Sequence, residues 1–102
     1  MDQIKIWLSV PIGELTTILE YIKTEFNYNC KKLEDEYNLN RATLRKISKG
    51  INITRGTKDY LASFILIIKE CYDVCMMTNQ LQRALSISSF IIAMNMRLFG
   101  LN

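Results

Sequence analysis

Between Asn29 and Gly50 the chain reads NCKKLEDEYNLNRATLRKISKG, and no other stretch limits its fold as much. Leu33 and Tyr37 lie four apart and Leu44 and Ile47 three apart, so each pair falls on one side of a short helix. Asn29 is placed to cap a helix from about Cys30 to Tyr37, and Asn40 to cap another from about Arg41 to Lys49. Asn38 tolerates the left-handed backbone of a tight turn, Leu39 adds an apolar side chain there, and Gly50 closes the second helix. Two short helices joined at a steep angle by such a turn form a helix-turn-helix, whose second helix can enter a DNA major groove.

The flanking segments carry helical patterns too. Leu15, Leu19, Ile22 and Phe26 step by 4, 3 and 4, which predicts a first helix from about Pro11 to Phe26. Pro11 suits its first turn and Glu14 the positive end of its dipole, while Asn27 and Asn29 mark its stop. Residues 51–56 read as a loop. Thr57 is placed to cap a long fourth helix reaching about Thr78, with Leu61, Phe64, Ile65, Ile68, Tyr72 and Cys75 on its apolar side. A last helix follows from about Gln80 to Phe99. Residues 1–10 alternate Ile4, Ile6, Leu8 and Val10 with other residues, a strand period; because a lone strand has no partner, a leading helix or an extended arm are the alternatives.

With 102 residues, 49% of them hydrophobic, and only one proline and four glycines, the composition predicts a single all-α domain over residues 1–102. The expected architecture is a five-helix bundle, with a helix-turn-helix core over 11–68 and a C-terminal helical extension over 69–102. The last helix is apolar on two sides. Leu81, Leu85, Ile92, Met96 and Phe99 follow one, and Ala84, Ile87, Ile91 and Leu98 the other. A small monomer cannot readily cover both, so a homodimer is expected, with Leu85, Ile87, Ile91, Met94 and Leu98 as its candidate interface; the alternative is a helix enclosed by its own chain.

Charge is concentrated. From Arg41 to Lys58 there are six basic residues and no acid; the rest of the chain holds seven basic and ten acidic residues, 7 − 10 = −3, against a total of +3. A cationic segment in a slightly acidic chain is the footprint of a surface that meets phosphate, although an ordinary solvated helix face has the same appearance.

Other functions find little support in the residues. The three cysteines, Cys30, Cys71 and Cys75, are odd in number and no export signal precedes them, so a reducing, cytoplasmic setting is expected. Cys71 and Cys75 share a helix face, but with no histidine in the chain they read as small apolar groups, and no metal or cofactor is expected. The longest apolar runs, residues 64–68 and 90–94, are five residues each, far below the ~20 that span a bilayer. Without histidine, a nucleophile triad or a glycine-rich phosphate loop, an enzyme is not expected. Consecutive Glu34, Asp35 and Glu36 point in different directions on a helix and read as a solvated face.

Residues 12–68 resemble the Cro/C1 (XRE-like) helix-turn-helix family of phage, plasmid and bacterial regulators. The likeness rests on Leu15, Leu19 and Ile22 in the first helix, and on Leu33 and Tyr37 in the second. It continues with Asn38 where the family usually has a turn glycine, Leu39, the capping Asn40, and RATLRKISKG with Leu44, Ile47 and Gly50. Two positions depart from the pattern. Cys30 stands where the family often has a glutamine that fixes the phosphate backbone, a task for which Lys31 or Lys32 could substitute as point charges. Glu34 stands where a small residue is preferred; its carboxylate must bend outward or find a cation.

The resemblance implies a lambda-repressor-like core and a sequence-specific, repressor-like transcriptional regulator with residues 41–49 in the major groove of double-stranded DNA. Arg41, Ala42, Thr43, Arg45 and Lys46 are then the candidate base contacts: arginine bonds guanine bidentately, and threonine or alanine can touch a thymine methyl. Lys31, Lys32, Asn40, Lys49, Asn52, Thr54 and Arg55 are the candidate phosphate contacts. Cys30 and Glu34 favour an alternative, a protein-interaction module with a degenerate helix-turn-helix, such as a small phage or plasmid inhibitor of a host protein.

Overall fold

The computed structural model describes residues 12–51, 53 and 56–99. The alternating segment 1–10, Pro11, Asn52, Thr54 and Arg55 lie outside the described residues. Among those described the chain is all-helical: α1 spans Ile12–Glu25, α2 Cys30–Tyr37, α3 Arg41–Ser48, α4 Thr57–Met77 and α5 Leu81–Phe99.

Local chemistry sets these boundaries. Asn29 and Asn40 have extended backbones, and their Oδ1 atoms accept from Lys32 N at 2.8 Å and Thr43 N at 3.0 Å. Each cap satisfies one of the four N–H groups that a helix start leaves without a partner. Asn38 turns left-handed at φ 55° and ψ 38°, which redirects the chain within three residues. Gly50 ends the unit at φ 74°, where a side chain would be strained. The start of α4 differs from expectation by one residue: Gly56, at φ 79°, holds the cap position and Thr57 is the first helical residue. A Cβ on Gly56 would meet the Tyr60 ring at 3.3 Å, so both the backbone and the space favour glycine.

The core is continuous. Leu15, Ile18, Leu19 and Ile22 of α1, Leu33 of α2, Leu44 and Ile47 of α3, and Leu61, Phe64, Ile67 and Ile68 of α4 are fully buried. α1 is central, packing against both α3 and α4, while α5 packs chiefly on α4. Burying each such side chain is worth ~1.5–3 kcal/mol relative to leaving it in water.

The rotation of α5 corrects the expected dimer face. Ile87 and Met94 are each 1% exposed and belong to the chain's own core, and Ile91 is half-buried against it. Of the five expected positions, Leu85 stands out at 67% exposed. The side chain of Leu98 is outside the description. Three contacts fix this rotation: Phe90 stacks on Tyr21 with ring centres 3.7 Å apart, Arg97 Nε lies 3.2 Å from Glu14 Oε2, and Arg83 donates to the carbonyl of Glu25. The outward apolar stripe is therefore Leu81, Leu85, Ile92 and Met96. No helix among the described residues is long and apolar enough to cross a membrane.

Candidate nucleic-acid interface

α3 is bound to the body of the protein along one side only. Leu44 and Ile47 face inward, leaving Ala42, Arg45, Lys46 and Lys49 exposed at steps of 3, 1 and 3. That spacing is a single helical stripe, so the outward side of α3 is short and cationic, and α3 itself contains no acid.

Contacts at both ends hold this stripe in place. At the C-terminal end, the Thr16 hydroxyl donates to the Ile47 carbonyl, Ser48 Oγ donates to Glu20 Oε1 at 3.0 Å, and Lys23 Nζ donates to Ser48 Oγ at 3.1 Å. At the turn, Asn40 N donates to the Tyr60 hydroxyl at 3.0 Å. α2 is tied to α4 by the Tyr37 hydroxyl, which donates to Glu70 Oε2 at 2.8 Å. Burial, followed by that bond to Glu70, holds the Tyr37 phenol well above its ordinary value, so it stays a donor at neutral pH.

Glu34 resolves its predicted difficulty by pairing with Arg41. Its Oε1 accepts from the Arg41 guanidinium at 2.9 Å and its Oε2 from the Arg41 backbone N–H at 3.2 Å. The carboxylate thus sits at the N-terminus of α3, where the helix dipole also favours it. This corrects the place of Arg41: in the free protein its guanidinium is engaged within the chain rather than presented to a base edge. Thr43 is half-buried and directs both its N–H and its hydroxyl towards Asn40 Oδ1. Of the five expected base contacts, Ala42, Arg45 and Lys46 are the exposed ones.

The expected phosphate contacts divide in the same way. Lys32 is exposed but folds its ammonium 4.3 Å above the Tyr28 ring. Asn40 is exposed and uses its Oδ1 as a helix cap. Lys31 and Lys49 line an open cleft of about 440 Å³ with Lys23, Asn29, Cys30, Arg41, Arg45 and Ser48. Five of these eight side chains are cationic and none is acidic; Arg41 is paired with Glu34 and Lys23 lies 3.6 Å from Glu20 Oε1, so the positive potential beside α3 comes chiefly from Lys31, Arg45 and Lys49. Cys30 forms part of its wall without offering a strong donor.

Lys23 was not identifiable from the helix-turn-helix pattern. It lies on α1, outside the motif, and only the packing of α1 on α3 brings it to the cleft. The pairing of Glu34 with Arg41 was equally hidden, because it bridges seven residues across the turn.

A second, more apolar cleft of about 290 Å³ lies across the molecule's α4–α5 corner, walled by Phe26, Tyr28, Cys71, Val74 and Cys75, with Glu70 and Arg83 at hand. Burial pushes the Cys71 thiol up from its ordinary value, which keeps it protonated and weakly nucleophilic at neutral pH. Among the described residues no group of three or more histidine, cysteine, aspartate or glutamate side chains is arranged to hold a metal ion. Comparisons of the chain with family models, with curated proteins and with solved structures found no match.

Proposed function

We propose that this chain binds double-stranded DNA as a repressor-like transcriptional regulator, with α3 lying in the major groove. The observation that supports this most is the outward stripe of α3, Ala42, Arg45, Lys46 and Lys49, beside a cleft whose charged lining residues are all cationic. An α-helix, about 10–12 Å across with its side chains, fits a groove about 12 Å wide, and α3 has one cationic side to turn into it and one anchored side. Arg45 would bond a guanine edge or a phosphate, Lys46 would act as a point charge, and Ala42 would touch a thymine methyl. Lys31, Lys49 and Lys23 would hold the sugar–phosphate backbone and set the register. No catalytic step is part of this proposal.

The test is a fluorescence-anisotropy titration of duplex DNA of random sequence, at several salt concentrations. Binding that weakens steeply with salt is expected, because neutralising each phosphate releases counterions and gives a slope of about −0.9 per contact. Arg45→Ala combined with Lys46→Ala should reduce affinity at least about tenfold and make the slope shallower by roughly 1 to 2.

One observation favours a second reading. Glu34 holds the first arginine of α3, an arrangement that a surface selected only for polyanions would not need. Under that reading the helix-turn-helix is a protein-interaction module. Absence of DNA binding at low salt, or an unaffected double variant, would favour it.

A further inference from the structure

We propose that the outward face of α5, together with the end of α4, is a self-complementary seam that binds a second copy of this chain. Leu81, Leu85, Ile92 and Met96 are 52%, 67%, 58% and 46% exposed. They recur at steps of 4, 7 and 4, which is one stripe along the helix, and Ser88 occupies the step between Leu85 and Ile92. Met76 extends the stripe across the α4–α5 turn, since it shares a wall with Leu81, Leu85 and Ser88.

A groove runs beside this ridge between α4 and α5. One part is walled by Tyr72, Met76 and Ser88, and the next by Ile65, Tyr72, Ser88 and Asn95, so Tyr72 and Ser88 join the two. A ridge and a groove side by side on one face are what a two-fold contact needs. Each copy's ridge enters the other's groove, and one patch serves as both donor and acceptor of packing.

Charge selects a second copy over other occupants. α5 contains no acid, and its two cations, Arg83 and Arg97, are turned onto α1 through the Glu25 carbonyl and the Glu14 carboxylate. The ridge therefore meets its own image without like-charge repulsion, and a strongly acidic or basic partner would find nothing on it to pair with. Lys69 is the one charged residue lining the groove. Met76 and the four ridge residues of α5 are each roughly half to two-thirds exposed, and five such side chains offer less than the ~800 Å² per partner of a standard interface, which points to a reversible dimer rather than an obligate one. α3 packs on α1 and α2, so pairing through α5 leaves the cationic stripe open. The seam is independent of any role in DNA binding.

Sedimentation of the full chain without DNA, from about 1 to 200 µM, tests the seam. A mass rising from monomer to dimer across that range is expected. Leu85→Asp and Ile92→Asp should each weaken association at least about tenfold, with helical circular dichroism unchanged because both positions are exposed. Val74→Asp, equally exposed but walling the Phe26 cleft, should leave association as it is. A monomer at the highest concentration, or a dimer that survives both ridge variants, overturns the proposal. Dissociation by Val74→Asp would also overturn it.

Discussion

α3 and α5 bury the same kind of side chain and show water opposite kinds. α3 turns Leu44 and Ile47 inward and leaves Ala42, Arg45, Lys46 and Lys49 outside; α5 turns Ala84, Ile87 and Met94 inward and leaves Leu81, Leu85, Ile92 and Met96 outside. The inward sets explain why each segment is helical and where it docks, and are interchangeable in kind. The outward sets differ, and the two proposed partners rest on them: a polyanion on the cationic side of α3 and a second apolar surface on the ridge of α5.

The sharpest way to break this contrast is to place the same charge on the two sides of α5. Ile87→Asp buries an unpaired carboxylate in the core and should cost more than about 4 kcal/mol of stability, enough to unfold much of a marginal domain. Leu85→Asp, at an exposed position, should change unfolding of the monomer by less than about 1 kcal/mol. Urea denaturation at low protein concentration measures both, and equal costs would mean that the assigned rotation of α5 is wrong.

A smaller effect sharpens the account of α3. Glu34→Gln removes the charge that holds Arg41, so the arginine becomes available to DNA. Affinity at low salt should rise about threefold or more, and the salt slope should steepen by roughly 0.9. Both partners are 38% exposed, so the accompanying loss of stability should stay below about 1 kcal/mol. A fall in affinity would mean that Glu34 instead orients Arg41 for contact. The smallest effect concerns the turn between the helices. Asn38→Gly should stabilise the fold by a few tenths of a kcal/mol, up to about 1, since glycine adopts φ near +55° without a Cβ penalty. Thermal or urea unfolding resolves a change of that size.

The helices were largely legible because short-range chemistry marks their ends. Asn29, Asn38, Asn40 and Gly50 each have a backbone role that the residue type itself suggests, and each occupies it. Thr57 misled by one position, because Gly56 reaches a left-handed conformation that a threonine cap does not require. The rotation of α5 was not legible. Both of its faces are apolar, so periodicity cannot choose between them, and the choice falls to Phe90 on Tyr21 and to two arginines reaching α1. At the cationic face, the exposure of Arg45, Lys46 and Lys49 followed from their spacing against Leu44 and Ile47. The withdrawal of Arg41 and the addition of Lys23 depended on how α2 and α1 meet α3, which spacing within one helix does not contain.

Whether the outward side of α3 is a DNA surface can be read residue by residue, by following backbone amide signals of the labelled protein by nuclear magnetic resonance while a DNA duplex is added. Shifts should concentrate on Lys31, Ala42, Arg45, Lys46 and Lys49 and leave Leu85 and Ile92 unmoved. Shifts confined to α5, or a spectrum that duplex DNA leaves unchanged at low salt, would contradict a DNA surface on α3.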